Sequence, residues 1–268
     1  MGAESGRSAA REGNDRNDTP DGSADSLPAA GPSLAEDLDD VWVVVPAYNE
    51  AAAIGPVLEG LTAVFAHVAV VDDASSDGTG DIAAAYPTVR LVRHPINLGQ
   101  GAALQTGFDY VLRDPAARRV VTFDADGQHR AADALAMVRR LGTPSDLGAP
   151  LQVILGTRFG PGATAGAGRA RLGVLRLAVA YTRATVRLPV TDTHNGLRAM
   201  TREVVAQLRL RQGGMAHATE ILERVRASGF AWAEHPVTID YSAYSQAKGQ
   251  SMLNAINILT DLAIGRSR

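Results

Sequence analysis

Val120–Gln128 reads Val-Val-Thr-Phe-Asp-Ala-Asp-Gly-Gln, and the way this stretch divides decides how the chain is read. Its first four residues are apolar or β-branched, the composition of a strand buried on both faces of a parallel sheet. Such a strand delivers Asp124 and Asp126 to its exposed carboxyl end. Asp124, Asp126 and Gln128 then offer three hard oxygen ligands. That density suits magnesium or manganese, whose usual task in proteins is to neutralise phosphate oxygens on a substrate. A helix cap or solvated turn explains Asp-Ala-Asp-Gly equally well, so the stretch alone leaves both open.

On either side of it, strands and helices alternate. Val41–Val45 predicts a strand stopped by Pro46, and the segment from Glu50 to Phe65 places Ile54, Val57, Leu58, Leu61, Val64 and Phe65 on one helical face. Val68–Val71 is a second strand ending in Asp72-Asp73. Thr79 with Asp81 opens a short helix, Val89–Val92 forms a third strand, and Gly99–Leu112 a helix closed by Asp114-Pro115. After the central strand, a helix over 131–141 and a strand over 152–155 complete five strands, and a further strand is expected over 231–239. The expected fold is α/β, a mostly parallel sheet with right-handed crossovers and ligands beyond the carboxyl ends of its strands. Three loops fall at those ends: Pro46–Glu50, Asp72–Thr79 and Asp124–Asp126.

The 268 residues, 46% of them hydrophobic, are enough for one large domain. The absence of cysteine excludes disulfides, thiolate zinc and a thiol nucleophile. Residues 1 to 40 hold 10 acids and 3 arginines (net −7), against 19 acids and 23 bases (net +4) in the remainder. Residues 1–38, rich in Gly, Ser, Ala, Asp, Asn and Pro, read as a disordered acidic tail before a domain over 39–268. No apolar run reaches the roughly 18 residues that span a bilayer. The amino terminus lacks the apolar core of a signal peptide, so a soluble or peripheral protein is expected.

The segments PAYNE, VVDDASSDGT, NLGQGAALQTGF and FDADGQH, in this order and spacing, resemble glycosyltransferase family 2, in the branch of dolichol-phosphate mannosyltransferase and bacterial polyprenyl-phosphate glycosyltransferases. The match covers roughly residues 41 to 252. It implies a single Rossmann-like domain of the glycosyltransferase A type and an inverting enzyme that transfers a hexose or N-acetylhexosamine. The implied donor is a UDP- or GDP-linked sugar, the acceptor polyprenyl phosphate or, alternatively, a saccharide hydroxyl in cell-wall or capsule assembly. By the same resemblance, Pro46, Tyr48, Glu50, Val71, Asp73, Asp124 and Ala125 hold the donor, with Asp73 on the base. Asp124, Asp126 and Gln128 hold Mg2+ or Mn2+. Arg158 lies near the phosphates, Lys248 sits in a loop closing over the donor, and Asp192 and Glu220 lie on the acceptor side. Glu220 is the better general-base candidate there, although an i,i+4 pair with Arg224 explains it almost as well. Lys248 is the only lysine beside 25 arginines.

The segment from Arg158 to Arg187, both included, holds six arginines and no acid; Arg169, Arg176 and Arg183 recur every seven residues opposite Leu172, Leu175, Val179 and Val186. Such a basic amphipathic helix lies on an anionic membrane or packs its leucines on the core. The resemblance favours the membrane and makes Arg158, Arg169 and Arg171 contacts for the acceptor phosphate. It implies work at the cytoplasmic face of the cell membrane, without nucleic acid. A last amphipathic helix over 251–264 is too short to span a bilayer; many members of the family it resembles continue here into transmembrane helices while this sequence stops at Arg268, so a separate membrane-protein partner is expected.

Overall fold

The computed structural model describes residues 37–159, 164–165, 188–214 and 216–240. The tail up to residue 36, the basic helix with Arg169 and Arg171, the Lys248 loop and the last helix lie outside the described residues.

The strands form where the apolar runs predict them. β1 (Val41–Ala47), β2 (His67–Asp72), β3 (Val89–Arg93) and β4 (Arg119–Thr122) are parallel neighbours, joined by α1 (Ile54–Thr62), α2 (Thr79–Ala84) and α3 (Gln100–Val111). α4 (Ala131–Arg140) leads to β5 (Val153–Thr157), followed by the short β6 (Thr164–Ala165). Then come β7 (Arg198–Thr201), α5 (Arg202–Gln207), α6 (His217–Ser228), β8 (Trp232–Pro236) and β9 (Thr238–Ile239), which pairs with β6.

Two expectations are corrected. Pro46 does not stop β1: it pairs with Val71 of β2, and Ala47 with Asp72. Pairing with β4 on the other side has already ended at Val44, so the missing N–H of Pro46 breaks no ladder there. Second, the main sheet has seven strands in the order β3-β2-β1-β4-β7-β5-β8, β8 falling where a strand over 231–239 is expected and β7 where none is. β7 runs antiparallel between β4 and β5, with Arg198 opposite both Thr122 and Leu155. Its amino end therefore lies at the rim where β4 and β5 have their carboxyl ends, and residues 192–197 reach the site by that reversal.

Alternate residues of β1 feed two cores. Val43 and Val45 pack with Ile54, Leu58 and Leu61 of α1 and with Met137 and Val138 of α4. Val44 packs on the opposite face with Leu104, Phe108 and Val111 of α3, Val204 of α5 and Ile221 of α6. Phe108 is fully buried, and its truncation to Ala costs about 3–5 kcal/mol.

Candidate active site

The first two rim loops are stitched to each other rather than capping their own helices. Glu50 N donates to Thr79 Oγ1 (2.8 Å), Asn49 N to Ser75 Oγ (2.9 Å) and Ala51 N to Asp77 Oδ2 (3.0 Å); Asn49 Oδ1 accepts from Ser76 N (2.9 Å). Asn49 and Ala74 adopt left-handed backbone, with φ of 54° and 61°. Asparagine tolerates that region, while alanine there stores about 1 kcal/mol or more of strain in the loop.

Beyond the strand ends lies a cavity of about 490 Å³. Pro46, Tyr48, Glu50, Asp73, Asp124, Ala125, Asp126, Gln128 and Arg158 all line it. Nine of the expected site residues therefore meet in one space. Val71 is fully buried in the sheet just below the rim and is not among the lining residues.

Asp73 is buried, and its carboxylate is engaged by protein: it accepts from Leu98 N (2.9 Å) and Gly99 N (2.7 Å) and lies 2.7 Å from His94 Nδ1. It thus fixes the 97–99 loop, whose Asn97 and Gly99 also line the cavity. The next segment of chain holds a second loop by close backbone approach. A β-carbon at Gly99 or Gly101 would collide with the carbonyl oxygen of Gly213 or Gln212, and Gly101 N donates to Gly213 O at 2.9 Å.

Around the central pair, Asp124 Oδ1 accepts from Gln100 Nε2 (3.0 Å), and Oδ2 lies 3.3 Å from His129 Nε2. Burial opposes its charge, but the His129 hydrogen bond and the positive field of His129 and Arg198 hold its carboxyl below the usual carboxylate range. The Asp126 carboxyl goes the other way: burial and then the charge of Asp124 push it up to about 6. Gln128, expected as a third oxygen ligand, turns its amide toward the protein and donates from Nε2 to Asp126 Oδ2 at 2.6 Å. Here it orients Asp126.

These residues fit a divalent cation. Two carboxylates share one cavity, and the Asp126 carboxyl, raised first by burial and then by the charge of Asp124, carries a buried charge that a cation would offset. Among the described residues no three His, Cys, Asp or Glu side chains converge as a closed metal cage. Magnesium or manganese bound through one or two carboxylates plus substrate oxygens and water needs none.

Arg158 comes to the cavity from the end of β5, with its side chain only 11% exposed. Asp192, 2% exposed, holds it: Asp192 Oδ2 accepts from Arg158 N (3.1 Å) and Nε (2.6 Å). Asp192 itself is not among the lining residues. Glu220 is also elsewhere, accepting from Arg211 N (2.9 Å) and Gln212 N (3.0 Å) and pairing with Arg224 at 2.8 Å. This is the i,i+4 pair weighed above, extended to hold the 211–214 loop.

Gln100, His129 and His194 line the cavity without having been singled out. Gln100 and His129 stood inside quoted segments, but the segments carried no sign of their contacts with Asp124. His194 lies on the loop reversed by β7, and burial pushes its imidazole down to about 4, so it is neutral near pH 7.

The open α/β sheet, with paired carboxylates and an anchored arginine at one rim, has the glycosyltransferase A type of fold. The chain belongs to glycosyl transferase family 2, whose profile matches residues 42–209, and it is a glycosyltransferase. Polyprenol monophosphomannose synthase of Mycolicibacterium smegmatis is 32% identical over 220 residues, 77% of this chain and 80% of that protein. An uncharacterised protein of Methanocaldococcus jannaschii is 30% identical over 230 residues, covering 84% and 91%. Glucosyl-3-phosphoglycerate synthase from Mycobacterium tuberculosis, in complex with Mn2+ and UDP-glucose, shares the fold with a TM-score of 0.62. Its identity is 22%, over 84% of this chain and 78% of that one. Among the described residues no helix is long and apolar enough to cross a membrane.

Proposed function

We propose that this glycosyltransferase moves a hexose or N-acetylhexosamine, with inversion, from a UDP- or GDP-linked sugar to polyprenyl phosphate, working peripherally at the cytoplasmic face of the cell membrane. The observation that carries this reading is the meeting of Asp124, Asp126 and Arg158 in one cavity. Two carboxylates and a buried guanidinium answer the opposite needs of a cation and of phosphate oxygens. The synthase from M. smegmatis, named for a polyprenol monophosphate sugar, supports the lipid acceptor.

Asp124 and Asp126 would hold Mg2+ or Mn2+, which supplies charge neutralisation to the diphosphate as it leaves. Gln100 and His129 orient Asp124, and Gln128 orients Asp126. Tyr48, Glu50 and the loop fixed by Asp73 shape the nucleoside end. Arg158, aimed by Asp192, meets a phosphate oxygen. The acceptor phosphate oxygen attacks the anomeric carbon as its bond to the nucleoside diphosphate breaks on the opposite side. That oxygen is already ionised near neutral pH, so no protein base is required, in keeping with Glu220 being engaged elsewhere. Arg169, Arg171 and Lys248 join this proposal from the sequence alone, as do the acidic tail over 1–38 and the membrane-protein partner.

The test is to incubate the protein with Mn2+ or Mg2+, undecaprenyl phosphate and radiolabelled UDP- and GDP-sugars, and to count label entering the organic phase. Metal-dependent label from one donor, lost in Asp126→Ala, is expected. Donor binding without lipid label would overturn the lipid acceptor in favour of a saccharide hydroxyl.

A further inference from the structure

Arg158 owes its direction to a carboxylate that is not among the cavity's lining residues. Glu234, on β8 opposite Leu155 of β5, accepts from Thr191 N through Oε1 at 2.5 Å and from Thr191 Oγ1 through Oε2 at 2.8 Å; Asp192 N lies 3.3 Å from Oε1. Thr191 Oγ1 is also 2.7 Å from Thr157 Oγ1, so the 191–192 turn is tied to both β5 and β8. Asp192 then grips Arg158 through Oδ2 and accepts from His194 N through Oδ1 at 3.2 Å. Two residues that face the cavity, Arg158 and His194, thus hang from one carboxylate, and the turn that carries it is held by Glu234.

We propose that Glu234 is a positioning residue for transfer, holding the Thr191–Asp192 turn so that Asp192 keeps the Arg158 guanidinium directed at the cavity. A long flexible side chain reaches a reacting phosphate productively only when its backbone and its Nε are both fixed, and Asp192 Oδ2 fixes both. Without Glu234, two backbone N–H groups of the turn lose their acceptor and the turn relaxes toward solvent. Misplacement of a site group by about 1 Å costs about 10²-fold in rate.

The proposal rests on the reading that Arg158 meets a phosphate, and the experiment separates the two. Glu234→Ala, Arg158→Ala and the double variant are assayed for lipid labelling with Mn2+, and a ligand-free crystal structure of Glu234→Ala is determined. Each single variant is expected to lower kcat/KM by about 10²-fold. In the Arg158→Ala background, Glu234→Ala is expected to change it less than about 3-fold, because both act through one group. Losses that multiply to about 10⁴-fold would overturn the proposal, as would an Arg158 still clasped by Asp192 in the variant structure. Should Glu234→Ala fail to fold, Glu234→Gln keeps the volume and one acceptor oxygen, and the same cycle and structure are measured on it. A wild-type protein that labels no lipid, beside a variant structure with Arg158 turned away, would sink the acceptor reading while sustaining the role of Glu234.

Discussion

Gly196 lies directly against Asp124: a β-carbon built on Gly196 would collide with both oxygens of the Asp124 carboxylate. The contact follows from register. Thr122 pairs with Arg198 in antiparallel strands, so two residues on, Asp124 comes opposite Gly196. Gly196→Ala is therefore expected to displace the carboxylate and lower transfer by at least 10²-fold. Overpacking of this kind costs about 1–3 kcal/mol. Calorimetric titration of Mn2+ with UDP or GDP checks the cause; unchanged metal affinity in the variant would contradict it.

Asp126 carries charge at a structural cost, since burial and Asp124 both oppose its ionisation. Asp126→Asn removes the repulsion and keeps the shape. In EDTA at pH 7 the variant is expected to melt a few degrees above wild type, on the order of 1 kcal/mol, while transfer is abolished. Calorimetric melting with and without Mn2+ reads this: only the wild type should gain from the metal. Equal melting temperatures in EDTA would argue that the two carboxylates do not burden each other.

Most of the fold was legible because β1, β2 and β4 are continuous apolar runs that end at polar loops, and periodicity registers such runs directly. β7 was missed for a physical reason. Its four residues begin with Arg198, a charged side chain only 2% exposed, so the pattern lacks an apolar signature. The preceding Asn195-Gly196 pair was the available sign of a chain reversal, and with it His194 and Gly196 would have been placed at the rim. Likewise, sequence could bring Asp73 and Gln128 to the site but not say which way they face. Asp73 turns to the Leu98 and Gly99 amides and Gln128 to Asp126, partners that only the folded chain supplies.

Glu220 provides a direct contrast between chemistry and architecture. A general base contributes about 10²–10⁴-fold to rate. Glu220 accepts from the amides of Arg211 and Gln212 and pairs with Arg224, holding a loop whose backbone packs on Gly99 and Gly101. Glu220→Gln is expected to lower kcat less than about 10-fold and stability by about 1–2 kcal/mol. Urea denaturation beside steady-state kinetics measures both. A rate loss above 10³-fold at unchanged stability would restore the catalytic role.

His217 sets an acid limit to the fold. It opens α6, is 3% exposed, and its Nδ1 lies 2.8 Å from Gly214 O. Burial first, then the Arg198 charge, push its imidazole down to about 4 from an ordinary 6.5. The helix amino terminus disfavours a cation there too. Because the folded value lies below the unfolded one, the unfolded state binds the proton first. The stability contribution is complete above pH 6.5 and lost as pH falls toward 4. Between pH 7.5 and 5 the loss comes to about 2 kcal/mol. Urea denaturation at those two pH values, on wild type and His217→Gln, measures it: the variant should be less stable at pH 7.5 yet lose about 2 kcal/mol less on acidification. Parallel losses in the two proteins would assign the acid sensitivity to other groups.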